Sequence, residues 1–169
     1  DRIAEYGYSH FNWNIGCPYP TVTDKTKGSG ILPFPDRIDR FLDEALAGSG
    51  YEVSVKMRLG MHYPDESLKV VDVLNRYPLR EVTVHARTGV QAYEGTVDLE
   101  SFGAVLAGLK HDVLFNGDIF TVEDCRRISE KFPSIKGVML GRGVLVDQFL
   151  PREIRGERFT GGERIEKIQ

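Results

Sequence analysis

Short apolar runs that end in polar residues recur along this chain. Val53-Ser54-Val55-Lys56-Met57-Arg58, Val82-Thr83-Val84-His85-Ala86-Arg87, Val113-Leu114-Phe115-Asn116-Gly117-Asp118 and Val138-Met139-Leu140-Gly141-Arg142-Gly143 all follow this form. A fifth, less apolar run ends at Asn14-Ile15-Gly16-Cys17-Pro18. Such short, β-branched stretches bounded by turn residues read as strands. The markers Asn14, Lys56, His85, Asn116 and Gly141 recur at intervals of roughly 25 to 40 residues, the length of a strand plus a returning helix. Strand after strand therefore delivers its polar end to one rim. In a barrel of parallel strands, active sites sit at that rim, at the strand C-termini.

The same patterning places strands at 9–14, 53–57, 81–85, 112–116 and 136–140. Between them, apolar positions recur at helical spacing. Ile38, Phe41, Leu42, Ala45 and Leu46 form one face of a helix over 35–47, stopped by Gly48-Ser49-Gly50. Leu68, Val71 and Leu74 do so over 65–76, and Phe102, Val105, Leu106 and Leu109 over 99–109. Thr121 is the expected N-cap of a helix to Phe132, with Glu123 and Asp124 in the first turn where the dipole favours acids. A short helix is expected over 148–154. Cys17 to Pro35 is the longest irregular segment, and a loop of that length is usually functional or disordered.

The fold class is therefore α/β, a truncated portion of a parallel (β/α)8 barrel with about five strand–helix units. The chain has 169 residues, whereas a complete barrel needs about 250 and rarely fewer than about 200. It also opens at Asp1 with no initiator Met, so a piece of a longer protein is the simplest account. We assign 1–155 to the partial barrel and 156–169 to a tail or the start of a following helical region. An open sheet exposes two edges, which barrel closure normally removes, and self-association is one way to cover them.

No apolar run approaches the roughly 18 residues of a membrane span, and the chain start lacks a basic-then-apolar leader. Cys17 and Cys125 lie far apart with no CxxC pair, which argues against a disulfide framework or structural zinc and for a reducing cytoplasm. Net charge is −3, so any contact with nucleic acid must come from a local patch.

The rim itself offers one thiol, one lysine, one histidine, two asparagines and a Gly-Arg-Gly turn. Glycines at strand ends let backbone N–H groups approach a phosphate, and Arg142 can add a charge-assisted hydrogen bond. Asn116-Gly117-Asp118 and Gly141-Arg142-Gly143 sit on the last two strands, where barrels commonly hold phosphate. Lys56 lies inside an apolar strand, with Val55 and Met57 on the opposite face. A lysine aimed into a barrel mouth is costly unless it meets an anion or aids catalysis. His85 holds the equivalent place one unit later. Cys17, at the start of the expected flexible loop, is a candidate for proton transfer or nucleophilic work. Cys125 reads as a core residue, and His10, His62 and His111 as loop or strand-edge residues. No HxH or HExxH spacing indicates a metal.

Asn14-Ile15-Gly16-Cys17-Pro18 with the following Gly28-Ser29-Gly30 loop resembles the signature of tRNA-dihydrouridine synthases. So do Lys56-Met57-Arg58, His85-Ala86-Arg87-Thr88, Asn116-Gly117-Asp118 and Gly141-Arg142-Gly143, in the same order. The resemblance runs from about residue 9 to 155. It implies an FMN-bound barrel that reduces the C5=C6 bond of uridine in tRNA to 5,6-dihydrouridine, with NADPH as reductant. The cofactor carries the redox step and the protein supplies position and a proton. Within that pattern Cys17 matches the catalytic proton donor. Lys56, His85, Asn116, Gly117, Asp118, Gly141 and Arg142 match flavin and phosphate contacts, and Asn14, Arg58 and Arg87 match substrate-pocket residues. Lys25 and Lys27 then become candidate tRNA phosphate contacts.

The family's first three strands, with their own flavin contacts, have no counterpart in this sequence. Its helical tRNA-binding domain would follow near Gly156. The loop around Asp24 and Lys27 departs from the commonest family wording, and Ala86 stands where glycine is usual. Two other readings compete: another FMN-dependent barrel oxidoreductase acting on a small molecule, or a chain inactive by itself and stable only through self-association.

Overall fold

The computed structural model describes residues 5–160. The tail assigned to 156–169 therefore falls mostly outside the described residues. Five strands form one sheet: β1 (His10–Ile15), β2 (Glu52–Arg58), β3 (Glu81–His85), β4 (Asp112–Asn116) and β5 (Gly137–Met139). All neighbours are parallel, in the sequential order β1-β2-β3-β4-β5. Crossovers between parallel strands are right-handed, so a sheet wound steadily in one direction collects its helices on one face. The other face is left as the inside of a curving wall. This is an arc of a (β/α) barrel.

The outer layer holds α2 (Pro35–Leu46), α3 (Glu66–Leu74), α4 (Leu99–Gly108) and α5 (Val122–Lys131). Ring contacts identify the outer sheet face. Trp13 stacks on Phe41 of α2 with centroids 3.9 Å apart, and Phe115 meets Phe102 of α4 edge-on at 4.9 Å. Strand alternation and the register then place Val55, Val82, Val84 and Val113 on that same apolar side, where all are buried. Burying a Val, Leu or Phe side chain stabilises by about 1.5–3 kcal/mol, which makes this seam the main source of stability.

Three features differ from the sequence expectation. The inward stripe of α3 is Ser67, Val70, Val71 and Leu74, at i, i+3, i+4 and i+7, while Leu68 faces solvent. Ser67 fits this stripe because its hydroxyl donates to the Pro64 carbonyl at 2.5 Å. The stretch after Cys17 is not irregular throughout: it contains α1 (Pro20–Thr23) and a 3₁₀ turn at Gly28–Ile31. Finally, β5 is only three residues long, and a short helix α6 (Arg142–Val146) follows it at once, before α7 (Leu150–Ile154).

Candidate functional site

Register aligns the polar strand ends on the inner face. Asn14 pairs with Lys56, and one step further Arg58, His85, Asn116 and Met139 run side by side across β2 to β5. These rows open onto a cavity of about 300 Å³. Its wall includes Asn14, Cys17, Lys56, Arg58 and His85, and also Asn116, Gly117, Asp118, Gly141 and Arg142. Of the eleven positions singled out in the sequence, Arg87 alone stays off this wall. Its guanidinium is buried and committed to structure: Nη2 and Nη1 donate to Asp118 at 2.5 and 2.9 Å, and Nε and Nη2 to the carbonyls of Glu94 and Gly95. Lys25 and Lys27 are exposed and also stand off the wall.

The Cys17 turn is held from three sides rather than loose. The Asn14 side chain accepts from the Gly16 N–H at 3.0 Å. Arg58 Nε donates to the Gly16 carbonyl at 3.0 Å. The buried Ser29 donates to the Cys17 carbonyl twice, from its amide at 2.9 Å and its hydroxyl at 3.1 Å. Gly28, at φ +54, lies so close under Cys17 that an added Cβ would sit 3.0 Å from the cysteine's own Cβ. The sequence expectation of a flexible loop therefore does not hold at Cys17. Its side chain is half-buried and carries a free thiol.

Electrostatics at the strand ends follow from burial among cations. His85, 5% exposed, is pushed down to about 3, first by burial and then by Arg58, Lys56 and Arg87, with Asp118 opposing. It is a neutral imidazole at any ordinary pH. Arg87 Nη1 lies 3.5 Å from His85 Nε2. Because arginine cannot accept, that contact makes Nε2 the acceptor and leaves Nδ1–H as a donor. Burial, then the Arg58 charge, lowers Lys56 as well, while Cys17 opposes. The Arg87 hydrogen bond holds the Asp118 carboxyl below its usual range, and Arg142 adds to this by pairing with Asp118 Oδ1 at 2.7 Å.

Asp118 therefore works as the anchor of two arginines. It sits at φ 43, a left-handed conformation uncommon for a non-glycine residue, directly after Gly117 at φ 141. A Cβ on Gly117 would reach within 2.7 Å of Val97. Asn116 is also engaged, donating from Nδ2 to the Met139 carbonyl at 2.8 Å and so tying β4 to β5. Arg142 stays 43% exposed, its guanidinium 4.8 Å from the Tyr93 ring centroid and 5.6 Å from that of Phe120. The cavity thus combines cationic donors from β2 and the β5 end with aromatic faces. That set suits a planar, anionic ligand.

Tyr19, Tyr93 and Phe120 also line the wall, and sequence reasoning missed them. Elsewhere, His10 bonds Ser54 at 2.9 Å and His111 bonds the Tyr77 carbonyl at 2.9 Å. The His62 amide donates to Glu66. Cys125 is buried on α5, where burial pushes its thiol up. Among the described residues, no group of three or more His, Cys, Asp or Glu is placed to hold a metal ion. No helix among them is long and apolar enough to cross a membrane.

Comparison with known proteins covers most of the chain. Positions 1–158 match the family model described as Dihydrouridine synthase (Dus). The chain is 28% identical over 150 residues to tRNA-dihydrouridine synthase B of Pasteurella multocida, covering 88% of this chain and 45% of that protein. It is 32% identical over 157 residues to the tRNA-dihydrouridine(16) synthase of Pseudomonas putida, covering 92% and 48%. A probable tRNA-dihydrouridine synthase 1 of Synechocystis is 33% identical over 166 residues, covering 96% and 46%. The chain spans about half the length of the curated relatives it matches.

Proposed function

Since the chain belongs to the dihydrouridine synthase family, we propose that it supplies the catalytic rim of an FMN-dependent enzyme that reduces uridine in tRNA to 5,6-dihydrouridine. The observation that carries this reading is the convergence of Cys17, Lys56, His85, Asn116 and Arg142 on one cavity. The donor set fits FMN: Arg142 and the glycine-flanked turn around it for a phosphate, and Lys56 and neutral His85 for a polar ring edge. FMN, when bound, supplies the hydride that adds to C6 of the base, and NADPH replenishes it.

The protein's own part is position, charge and one proton. Cys17 presents its thiol from a fixed turn and gives its proton to C5, completing the addition of two hydrogens across the double bond. The thiolate left behind lies near Lys56, whose ammonium favours it electrostatically. The same ammonium holds negative charge that develops on a bound electron-rich ring. Asn14 borders the cavity beside Cys17, where a uracil edge can meet its amide. Asp118 is reassigned in this reading. An anion beside a phosphate would repel it, so Asp118 serves by holding Arg142 in place. A uridine reaches this depth only after leaving its stack, and Tyr19 and Tyr93 at the wall offer aromatic faces to it. The proposed setting is the cytoplasm, with tRNA as partner.

The test is incubation with FMN, NADPH and unmodified tRNA, followed by mass spectrometry of the released nucleosides. Cys17→Ala is expected to oxidise NADPH through FMN at the normal rate while dihydrouridine formation stops. Normal dihydrouridine formation by Cys17→Ala would remove the assignment of the thiol.

A further inference from the structure

Arg58 occupies the middle of the rim, yet most of its donors are spent on backbone. The guanidinium is 1% exposed. Nε donates to the Gly16 carbonyl at 3.0 Å, and Nη1 to the carbonyls of Thr88 at 2.8 Å and Ala92 at 2.7 Å. These acceptors belong to two segments remote in sequence. One is the Cys17 turn at the end of β1. The other is the loop after β3 that carries Tyr93, whose ring centroid lies 5.5 Å from the Arg58 guanidinium carbon. Ala92 has φ 48, a conformation that costs a residue with a side chain about 1 kcal/mol or more and persists only where surrounding contacts impose it. The Arg58 bond to the Ala92 carbonyl is such a contact.

We propose that Arg58 is a positioning residue that fastens the Cys17 turn and the Tyr93 loop to strand β2 as one rigid unit, fixing thiol and aromatic ring relative to each other at the cavity. This replaces the expectation that Arg58 binds substrate directly. Its catalytic meaning rests on the proposed role of Cys17, but the bracing itself is measured without turnover. A planar fork reaching three carbonyls in two directions is peculiar to arginine; a lysine keeps the charge and loses the fork. Charge recognition and bracing therefore separate in Arg58→Lys.

The experiment uses the full chain carrying Cys125→Ala, so that Cys17 is its one thiol. Two readouts are taken: the rate of Cys17 alkylation by iodoacetamide, and amide hydrogen exchange along the chain by mass spectrometry. Arg58→Lys is expected to raise alkylation several-fold and to speed exchange in both 14–17 and 88–95, with β2, β3 and β4 as protected as before. Wild-type values for Arg58→Lys in both segments would overturn the proposal, as would loosening of one segment alone. Should Arg58→Lys fail to fold, Gln91→Ala serves instead. Gln91 Oε1 accepts from the Thr88 amide at 2.9 Å and its hydroxyl at 3.2 Å, so its loss loosens the loop directly. Faster Cys17 alkylation in Gln91→Ala would show the coupling through Arg58. Faster exchange at 88–95 with an unchanged Cys17 rate would refute it. A wild-type chain that forms no dihydrouridine would bear on the proposed function alone.

Discussion

At the residue scale, the site is a small set of side chains whose charges are fixed by neighbours. His85 shows the consequence for stability. Its folded value near 3 lies below the ordinary 6.5, so the unfolded chain binds a proton that the folded chain refuses. Stability is then complete above about pH 6.5 and falls steadily as pH drops toward 3. Between about pH 6.5 and 4 the loss belongs to His85; below that, Asp118, held low by Arg87, adds its own. We predict that urea midpoints measured across this range fall with acidification, and that His85→Gln flattens the slope between pH 6.5 and 4. A wild-type midpoint constant down to pH 4 would contradict the buried neutral imidazole. His85, Lys56 and Asn116 were legible in the sequence because a polar residue closing an apolar strand has few places to point. Tyr93 was not. Its position depends on Arg58 and Arg87 gripping the carbonyls of Ala92, Glu94 and Gly95, and backbone acceptors leave no signature in a side-chain pattern.

At the element scale, what the sequence showed best were the long helices and the strands they cover. The start of α5 is an example. Thr121 accepts from the Asp124 amide at 3.1 Å, and the Asp124 carboxylate accepts in turn from the amides of Thr121 and Phe120. This capping box fixes the helix and the Asp118-Ile119-Phe120 segment leading from the cavity. Thr121→Ala is predicted to destabilise by about 1 kcal/mol in urea unfolding, with the visible-range properties of any bound flavin unchanged. No change in midpoint would mean that the box contributes nothing. The elements that sequence reasoning missed, α1, the 3₁₀ turn and α6, are four or five residues long. Fewer than two turns cannot display a helical period, and α6 begins directly after Gly141, in a Gly-Arg-Gly string that reads equally well as a turn. Leu68 was placed on the wrong side because two apolar stripes overlap on α3, and only packing against the sheet chooses between them.

At the scale of the whole molecule, the order of the strands was legible as a rhythm, since a strand followed each time by one returning helix admits a steadily wound parallel sheet. The cavity was legible only as convergence at one rim; its size depends on how far the sheet curves, which no residue records. The wall formed by β1 to β5 leaves its two outermost strands each with one sheet neighbour among the described residues, and the chain spans about half the length of its relatives. The proposed flavin site lies between the strand ends of this arc. The most direct measurement is a fluorescence titration of FMN with the 169-residue chain, beside Lys56→Met and Arg142→Met. The wild type is expected to quench FMN saturably, and each variant to bind it with a dissociation constant weakened by about tenfold or more, the worth of one charge-assisted contact. FMN fluorescence left unchanged by the wild-type chain, or quenched equally by all three proteins, would contradict the proposed site.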